Sequence, residues 1–262
     1  MIEGRIVSSC VMALLVAGCC YVRAGAAENN TLSDQEKKEG WRLLWDGKTT
    51  EGWRSAKSEE FPNKGWTIKD GDLTVGSVGD ASQAGGDIIT KERFSNFELV
   101  VDFKTSSGCN SGIKYLVRPN IDQTTGGAAT GARASLGVMI GPEFQILDDA
   151  THPDARAGQN GNRTLGSLYD LIPAATTKKP NPIGQWNTAR IVVRGNHVEH
   201  WLNGDKILEY ERGSAAFREL VAQSKFKVVP GFAEWPDGHV LLQEHGSLVS
   251  FRNIKIRALS GN

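Results

Sequence analysis

Apolar and polar residues alternate along most of this chain with a period of two. That spacing places successive side chains on opposite faces of a strand. Trp66–Lys69 and Asp72–Val75 flank Asp70-Gly71, a dipeptide that favours a tight hairpin. Phe97–Lys104 is a further strand, followed after a turn by Ile113–Val117. Ala189–Arg194 pairs naturally with His197–Leu202 across Gly195-Asn196, and Asn203-Gly204 turns the chain into Lys206–Tyr210. Leu241–Gln243 and Leu248–Ile256 close the series. Helical spacing is rare. Ser33 and Glu36 have capping-box spacing at the start of a short helix that Gly40 can stop. Phe217, Leu220 and Val221, at i, i+3 and i+4, predict one amphipathic helix within Ser214–Lys225. Asn120–Ala134 and Asp148–Pro182 are Gly-rich and polar loops, and loops of that length are usually functional or mobile. Many short strands, one short amphipathic helix and long loops predict an all-β fold, a two-sheet sandwich or jelly roll.

Composition narrows the function. The 262 residues suit one β domain with a sizeable core. Lys plus Arg equals Asp plus Glu, so the formal charge is zero, which argues against a nucleic-acid partner. Residues 1–26 read as a signal peptide. Arg5 precedes an apolar run, Val11–Ala17, that is shorter than the roughly 20 residues a membrane helix needs. Two cleavage sites compete. Val16-Ala17-Gly18-Cys19 resembles a lipobox, which would leave Cys19 lipidated and the protein attached to a membrane. Ala24-Gly25-Ala26 resembles an ordinary cleavage site. Export to a bacterial periplasm, or to the outer membrane as a lipoprotein, is expected either way. Residues 27–40 form a polar linker and short helix, and 41–259 form the folded domain. Of the four cysteines only Cys109 certainly belongs to the mature domain, so an intramolecular disulfide framework is excluded and Cys109 reads as a small buried residue.

The chemistry centres on Glu143-Phe-Gln145-Ile-Leu147. Glu143 and Gln145 share one strand face and Phe144 and Ile146 the other. An unpaired carboxylate on so apolar a strand would be costly, which favours a ligand-facing role. A glycosidase needs two flanking carboxylates, yet the i+2 and i+4 positions hold Gln145 and Leu147. His200 stands at a strand end and His245 two residues after Gln243. Either imidazole suits proton transfer near neutral pH. Arg252 interrupts an apolar strand and could pair with Glu143 or contact ligand. Asn110-Ser111-Gly112 opens a strand after a turn. Asp148, Asp149, His152 and Asp154 have metal-like composition but neither an EF-hand pattern nor zinc spacing, so a solvated loop is the first reading and a calcium site the lesser one. No other metal and no cofactor is expected. Trp53, Trp66, Trp186, Trp201 and Trp235 could stack on sugars or fill the core.

Taken in order, these residues resemble a family. Trp41-Arg-Leu-Leu-Trp45-Asp46-Gly47, Gly52-Trp53 and Trp66 before Asp70-Gly71 begin the series. Asn110-Ser111-Gly112-Ile113, Glu143–Asp148, Leu168-Tyr169-Asp170 and Trp186-Asn187 follow, then His200–Gly204, Leu242–Gly246 and Phe251–Ile254. The series is similar to the 3-keto-disaccharide hydrolases from about Gly40 to Ala258. Trp45 departs from the Phe common there, and the Ala128–Leu136 loop is long. The resemblance implies a concanavalin-like jelly roll and cleavage of glycosides already oxidised at C3. A C3 ketone acidifies the C2 proton, so one base, one donor near the ketone and one acid suffice. On that reading Glu143 or His245 is base or acid, with His200 as alternate. Gln145, Asn110, Gln243 and Arg252 bind hydroxyls or polarise the ketone, and Tyr169 lies on a loop over the site. A non-catalytic carbohydrate-binding, lectin-like module on the same fold is the main alternative, and an ordinary β-glucanase is disfavoured by Gln145 and Leu147. Oligomeric state is not legible.

Overall fold

The computed structural model describes residue 1 and residues 28–76, 81–121 and 126–260. The expected signal peptide, with Cys19, falls outside the described residues apart from residue 1. The strands are β1 (Trp41–Leu43), β2 (Trp53–Ser55), β3 (Trp66–Lys69), β4 (Asp72–Val75), β5 (Ile88–Thr90), β6 (Phe97–Thr105), β7 (Asn110–Pro119), β8 (Met139–Ile140), β9 (Glu143–Leu147), β10 (Trp186–Arg194), β11 (His197–Leu202), β12 (Asp205–Glu211), β13 (His239–Leu242) and β14 (Val249–Ala258). The helices are α1 (Asp34–Lys38), α2 (Gly131–Ala134) and α3 (Ala215–Gln223).

They form an eight-stranded sheet in the order β12-β11-β10-β6-β14-β4-β3, with β1 also on β14, and a six-stranded sheet in the order β2-β5-β13-β7-β8, with β9 also on β7. All pairings between these strands are antiparallel. This is the expected all-β, two-sheet jelly-roll sandwich. The predicted hairpins β3–β4, β10–β11 and β11–β12 form with matching registers. The Ser33–Glu36 capping box closes reciprocally, and Ser214 caps α3 by accepting from Phe217 N at 3.1 Å.

Period-two alternation assigns the faces. Leu99, Val101 and Phe103 of β6 meet Ile113 and Tyr115 of β7 and Phe144 and Ile146 of β9 in one core. Phe103 and Phe144 pack edge to face at 6.4 Å. Each such large side chain contributes on the order of 2–3 kcal/mol by leaving water. The alternate residues of the six-stranded sheet point away from the core. Its free edge at β9 is covered by the segment 166–169. Gly166 N donates to Gln145 O, Gln145 N to Ser167 O, and Tyr169 N to Glu143 O, at 2.8, 3.1 and 3.1 Å. That segment belongs to the long loop after Asp148, so the loop acts as one wall of the sheet's outer face.

Candidate active site

Residues directly opposite one another in a sheet share a face. The pairs Leu242↔Ile88, Leu242↔Ile113, Gly112↔Gln145 and Lys114↔Glu143 fix the register across four strands. One residue beyond Leu242, Gln243 N donates to Gly112 O at 3.0 Å and Glu244 N to Asp87 Oδ1 at 2.9 Å. The outer face therefore carries a row running Asp87, Gln243, Gly112, Gln145. The next row runs Ile89, Leu241, Lys114, Glu143.

Glu143 is 5 % exposed. Its carboxylate leans over Gly112, where a Cβ would meet Oε1 at 2.2 Å. The missing side chain of Gly112 is therefore the space the carboxylate occupies. Glu143 Oε2 lies 3.7 Å from Lys114 Nζ, a loose pairing for two buried charges. The Gln145 amide sits beside it. With its nitrogen toward Glu143 it donates to Oε1 at 3.0 Å and to Ser111 O at 3.2 Å, and its oxygen faces the Asn110 amide at 3.2 Å. Ser111 Oγ ties β7 to β13 by donating to Gln243 O at 2.8 Å. Gln243 Oε1 is buried without a hydrogen-bond partner. A buried orphan acceptor costs about 1–3 kcal/mol and marks a place where a donor is awaited.

The wall is built from the long loop. Tyr169 OH donates to Asp154 Oδ2 at 2.8 Å, and Arg163 bridges Asp154 and Asp170 at 2.9 and 2.8 Å. Burial, and then the bond to Asp154, push the Tyr169 phenol up, so it stays protonated and committed to that carboxylate. Lys225 places its ammonium 4.2 Å from the Tyr169 ring centre, and its backbone N donates to Asp170 Oδ2 at 2.9 Å. Burial pushes the Lys225 ammonium down, with Glu143, Lys114, Asp170 and Arg163 all within electrostatic reach. Burial likewise pushes the Asp87 carboxyl up against the opposing pull of Lys114.

The structure thus brings together Glu143, Gln145, Asn110 and Gln243, with Tyr169 on the adjoining wall and His245 on the exposed turn after β13, in reach of Asp87. Two expected residues stand elsewhere. His200 is fully buried between the sheets, where Nδ1–H donates to Gly166 O at 3.0 Å and Nε2 accepts from Tyr115 OH at 2.7 Å. Burial lowers it to about 4. Arg252 lies on the outer face of the eight-stranded sheet, stacked on Trp186 at 3.9 Å and 3.9 Å from Asp102. It cannot reach Glu143 across the core. Strand parity accounts for His200, which shares its face with the core residues Val198 and Leu202. Arg252 is out of phase with Val249 and Phe251 but in phase with Ile254 and Ile256, and the β-bulge between Arg252 and Lys255 is what turns it outward.

The metal-like cluster is also spoken for. Asp148 accepts from Gly108 N and Thr151 Oγ1 at 2.8 and 2.5 Å, Asp149 pairs with Lys178 at 2.8 Å, and His152 Nδ1 accepts from Asp154 N at 3.2 Å. These bonds shape the loop. Trp53 and Trp66 are core residues, while Trp186 and Trp201 stack under Arg252 and Arg190 on the other sheet. Trp235 donates to Leu116 O. Cys109 is buried, and burial pushes its thiol up to about 11, as suits a packing residue. Asp87, Lys114 and Lys225 are the site residues that sequence reasoning missed. Lys114 could have been found by carrying the alternation of β7 back from Ile113 and Tyr115.

Residues 40–257 match the family described as the 3-keto-alpha-glucoside-1,2-lyase-like domain. A 3-keto-disaccharide hydrolase of Bacteroides thetaiotaomicron is 36% identical over 252 residues, covering 89% of this chain and 83% of that protein. A crystal structure of a proposed glycosyl hydrolase from Parabacteroides distasonis superposes with a TM-score of 0.71 at 29% identity, covering 89% of this chain and 100% of the other. A second from the same organism gives 0.57 at 30% identity, with 84% and 99% covered.

Proposed function

The chain belongs to the 3-keto-alpha-glucoside-1,2-lyase-like family, and from that premise we propose that it cleaves the glycosidic bond of 3-keto-glycosides or 3-keto-disaccharides. The observation that carries this reading is Glu143 itself. It is the acid of its strand face, seated over Gly112 among the buried amides of Gln145 and Asn110 and beside the half-buried Lys114, with Gln145 and Leu147 where a β-glucanase strand would carry a second acid.

Glu143 removes the C2 proton of the sugar. The C2–H electron pair passes into an enolate whose negative oxygen, at C3, is met by the ammonium of Lys114 and by side-chain amides. Collapse of the enolate re-forms the ketone, makes a C1–C2 double bond and expels the C1 oxygen, which takes a proton from the enzyme. Water then adds at C1, or the enone leaves. Gln243, with its unpartnered Oε1, accepts from a sugar hydroxyl. His200 and Arg252 have no part in this scheme, because neither faces the row. No metal or cofactor is invoked. The leader reading, residues 1–26, adds export to the periplasm or outer membrane as a further proposal, with membrane attachment through Cys19 if the lipobox is cut.

Incubating the purified protein with a glucoside and with its 3-keto form tests the proposal. Loss of the keto form alone is the expected result. Cleavage of both would point to ordinary glycosidase chemistry, and binding without cleavage to a lectin-like module.

A further inference from the structure

The reaction above needs a proton donor for the departing oxygen, and the sequence suggests His245 for that end of the site. The geometry points to Asp87 instead, as the general acid that protonates the leaving oxygen while Glu143 acts as base. This rests on the 3-keto-glycoside reading of the same site.

Asp87 lies immediately before β5 and shares the outward phase of Ile89. It stands opposite Gln243, which stands opposite Gly112, over which the Glu143 carboxylate leans. Two strand spacings separate Asp87 from Gly112, about 9–10 Å. Carboxyl pairs that act from two sides of one sugar ring are roughly 5–9.5 Å apart, so after allowance for the side chains one ring fits between them. Its hydroxyls then lie over Gln243 Oε1, the buried acceptor with no partner. Asp87 is half-buried, and burial pushes its carboxyl above the ordinary range, the direction a proton donor needs. The groups that face it are Lys114 from β7 and Glu244 and His245 from the turn after β13. Lys114, His245 and the Glu244 backbone N–H favour its anion, and Glu244's charge opposes it. His245 is itself exposed on that turn, where water screens it.

The step balances. Glu143 takes the C2 proton, the C1–O bond breaks, and the leaving oxygen takes the Asp87 proton. In hydration the Asp87 carboxylate takes a proton from the water that bonds to C1, and C2 regains a proton from Glu143. Both carboxyls return to their starting states.

A general acid matters in proportion to how poor the leaving group is. Asp87→Asn keeps the oxygen that accepts from Glu244 N, so the turn is preserved, and thermal unfolding checks it. Two 3-keto-glucosides are compared, one with a sugar aglycone and one with 4-nitrophenol, whose oxygen leaves without a proton. For Asp87→Asn the expected result is a loss of about 10²-fold or more on the sugar aglycone and a loss of less than about tenfold on the nitrophenyl compound. The alkaline limb of the pH profile disappears with the former. Equal losses on both substrates, or no loss on either, overturn the role of Asp87, as does a leaving-group gap that opens in His245→Ala and not in Asp87→Asn. If the wild type cleaves neither keto substrate, the parent reading has failed, a result that no behaviour of the variant can mimic.

Discussion

Two sheets of this sandwich each bury a carboxylate on their outer face, and they treat it differently. On the eight-stranded sheet, Glu98 is held at short range by two guanidinium groups, Arg190 and Arg257, the latter through Nε at 2.7 Å. Nearby Asp102 accepts from Thr188 Oγ1 and Asn253 Nδ2, both at 2.7 Å. Arg252 Nε lacks a hydrogen bond, but its guanidinium is packed on Trp186. On the six-stranded sheet, Glu143 is equally buried, yet its cation stands 3.7 Å away and the amide acceptor beside it has no partner. The first arrangement saturates its charges with its own side chains. The second leaves capacity for an incoming molecule. Burial alone does not separate a structural carboxylate from a reactive one; the closeness of its partners does.

Exchanging each carboxylate for its amide breaks this comparison most sharply. Glu143→Gln loses about 10³-fold in kcat/KM on a 3-keto-glucoside, with thermal unfolding near wild type. Glu98→Gln does the reverse. It costs about 2 kcal/mol in denaturant unfolding, less than the ~3–5 kcal/mol of a fully buried pair because its arginines are about a third exposed. Its turnover at permissive temperature is unchanged. If Glu143→Gln unfolds the protein and Glu98→Gln inactivates it, the two faces have been assigned the wrong way round.

The interior supplies the next test. His200 is neutral in the fold, lowered to about 4 from 6.5. As pH falls below the ordinary value, the unfolded chain takes up a proton that the native chain refuses. Stability is therefore lost between about pH 6.5 and 4, by about 3 kcal/mol in total. Denaturant unfolding of the wild type across that window shows the slope, and His200→Gln removes it. A catalytic His200 would show instead as lost turnover at constant stability.

Gly112→Ala gives a smaller change. The added Cβ collides with Glu143 Oε1 and displaces the carboxylate. A shift of about 1 Å in a reacting group costs about 10²-fold in rate. Rate measurements on the folded variant check it, and full activity would mean that Glu143 does not act from its seat over Gly112.

Much of this architecture is legible in local sequence. Asp70-Gly71, Gly195-Asn196 and Asn203-Gly204 specify their hairpins through residues that tolerate positive φ, as Asp70, Gly71 and Asn203 do here at 53°, 77° and 52°. Glu143 and Gln145 are also legible, because they interrupt an apolar strand, and Asn110 and Gln243 stand at the ends of theirs. Asp87 is not. It sits between the Gly85-Gly86 turn and a three-residue strand, and it joins the site only because β5 pairs with β13, about 150 residues later in the chain. Lys225 follows α3 and reaches the site through the fold of the long loop, which its own neighbours do not encode. His200 shares the phase of Val198 and Leu202, so its burial was legible, whereas Arg252 shares the phase of Ile254 and Ile256 and is turned outward by a β-bulge that alternation does not encode.

The central claim is that a neighbouring ketone, acting through the C2 proton, activates the glycosidic bond above Glu143. Comparing kcat/KM for a 3-keto-glucoside carrying hydrogen or deuterium at C2 tests it most directly. The account predicts a primary isotope effect that vanishes with the residual activity of Glu143→Gln, and no turnover of the parent glucoside. Equal rates for the two isotopologues, with the parent glucoside cleaved as fast as its ketone, would contradict it.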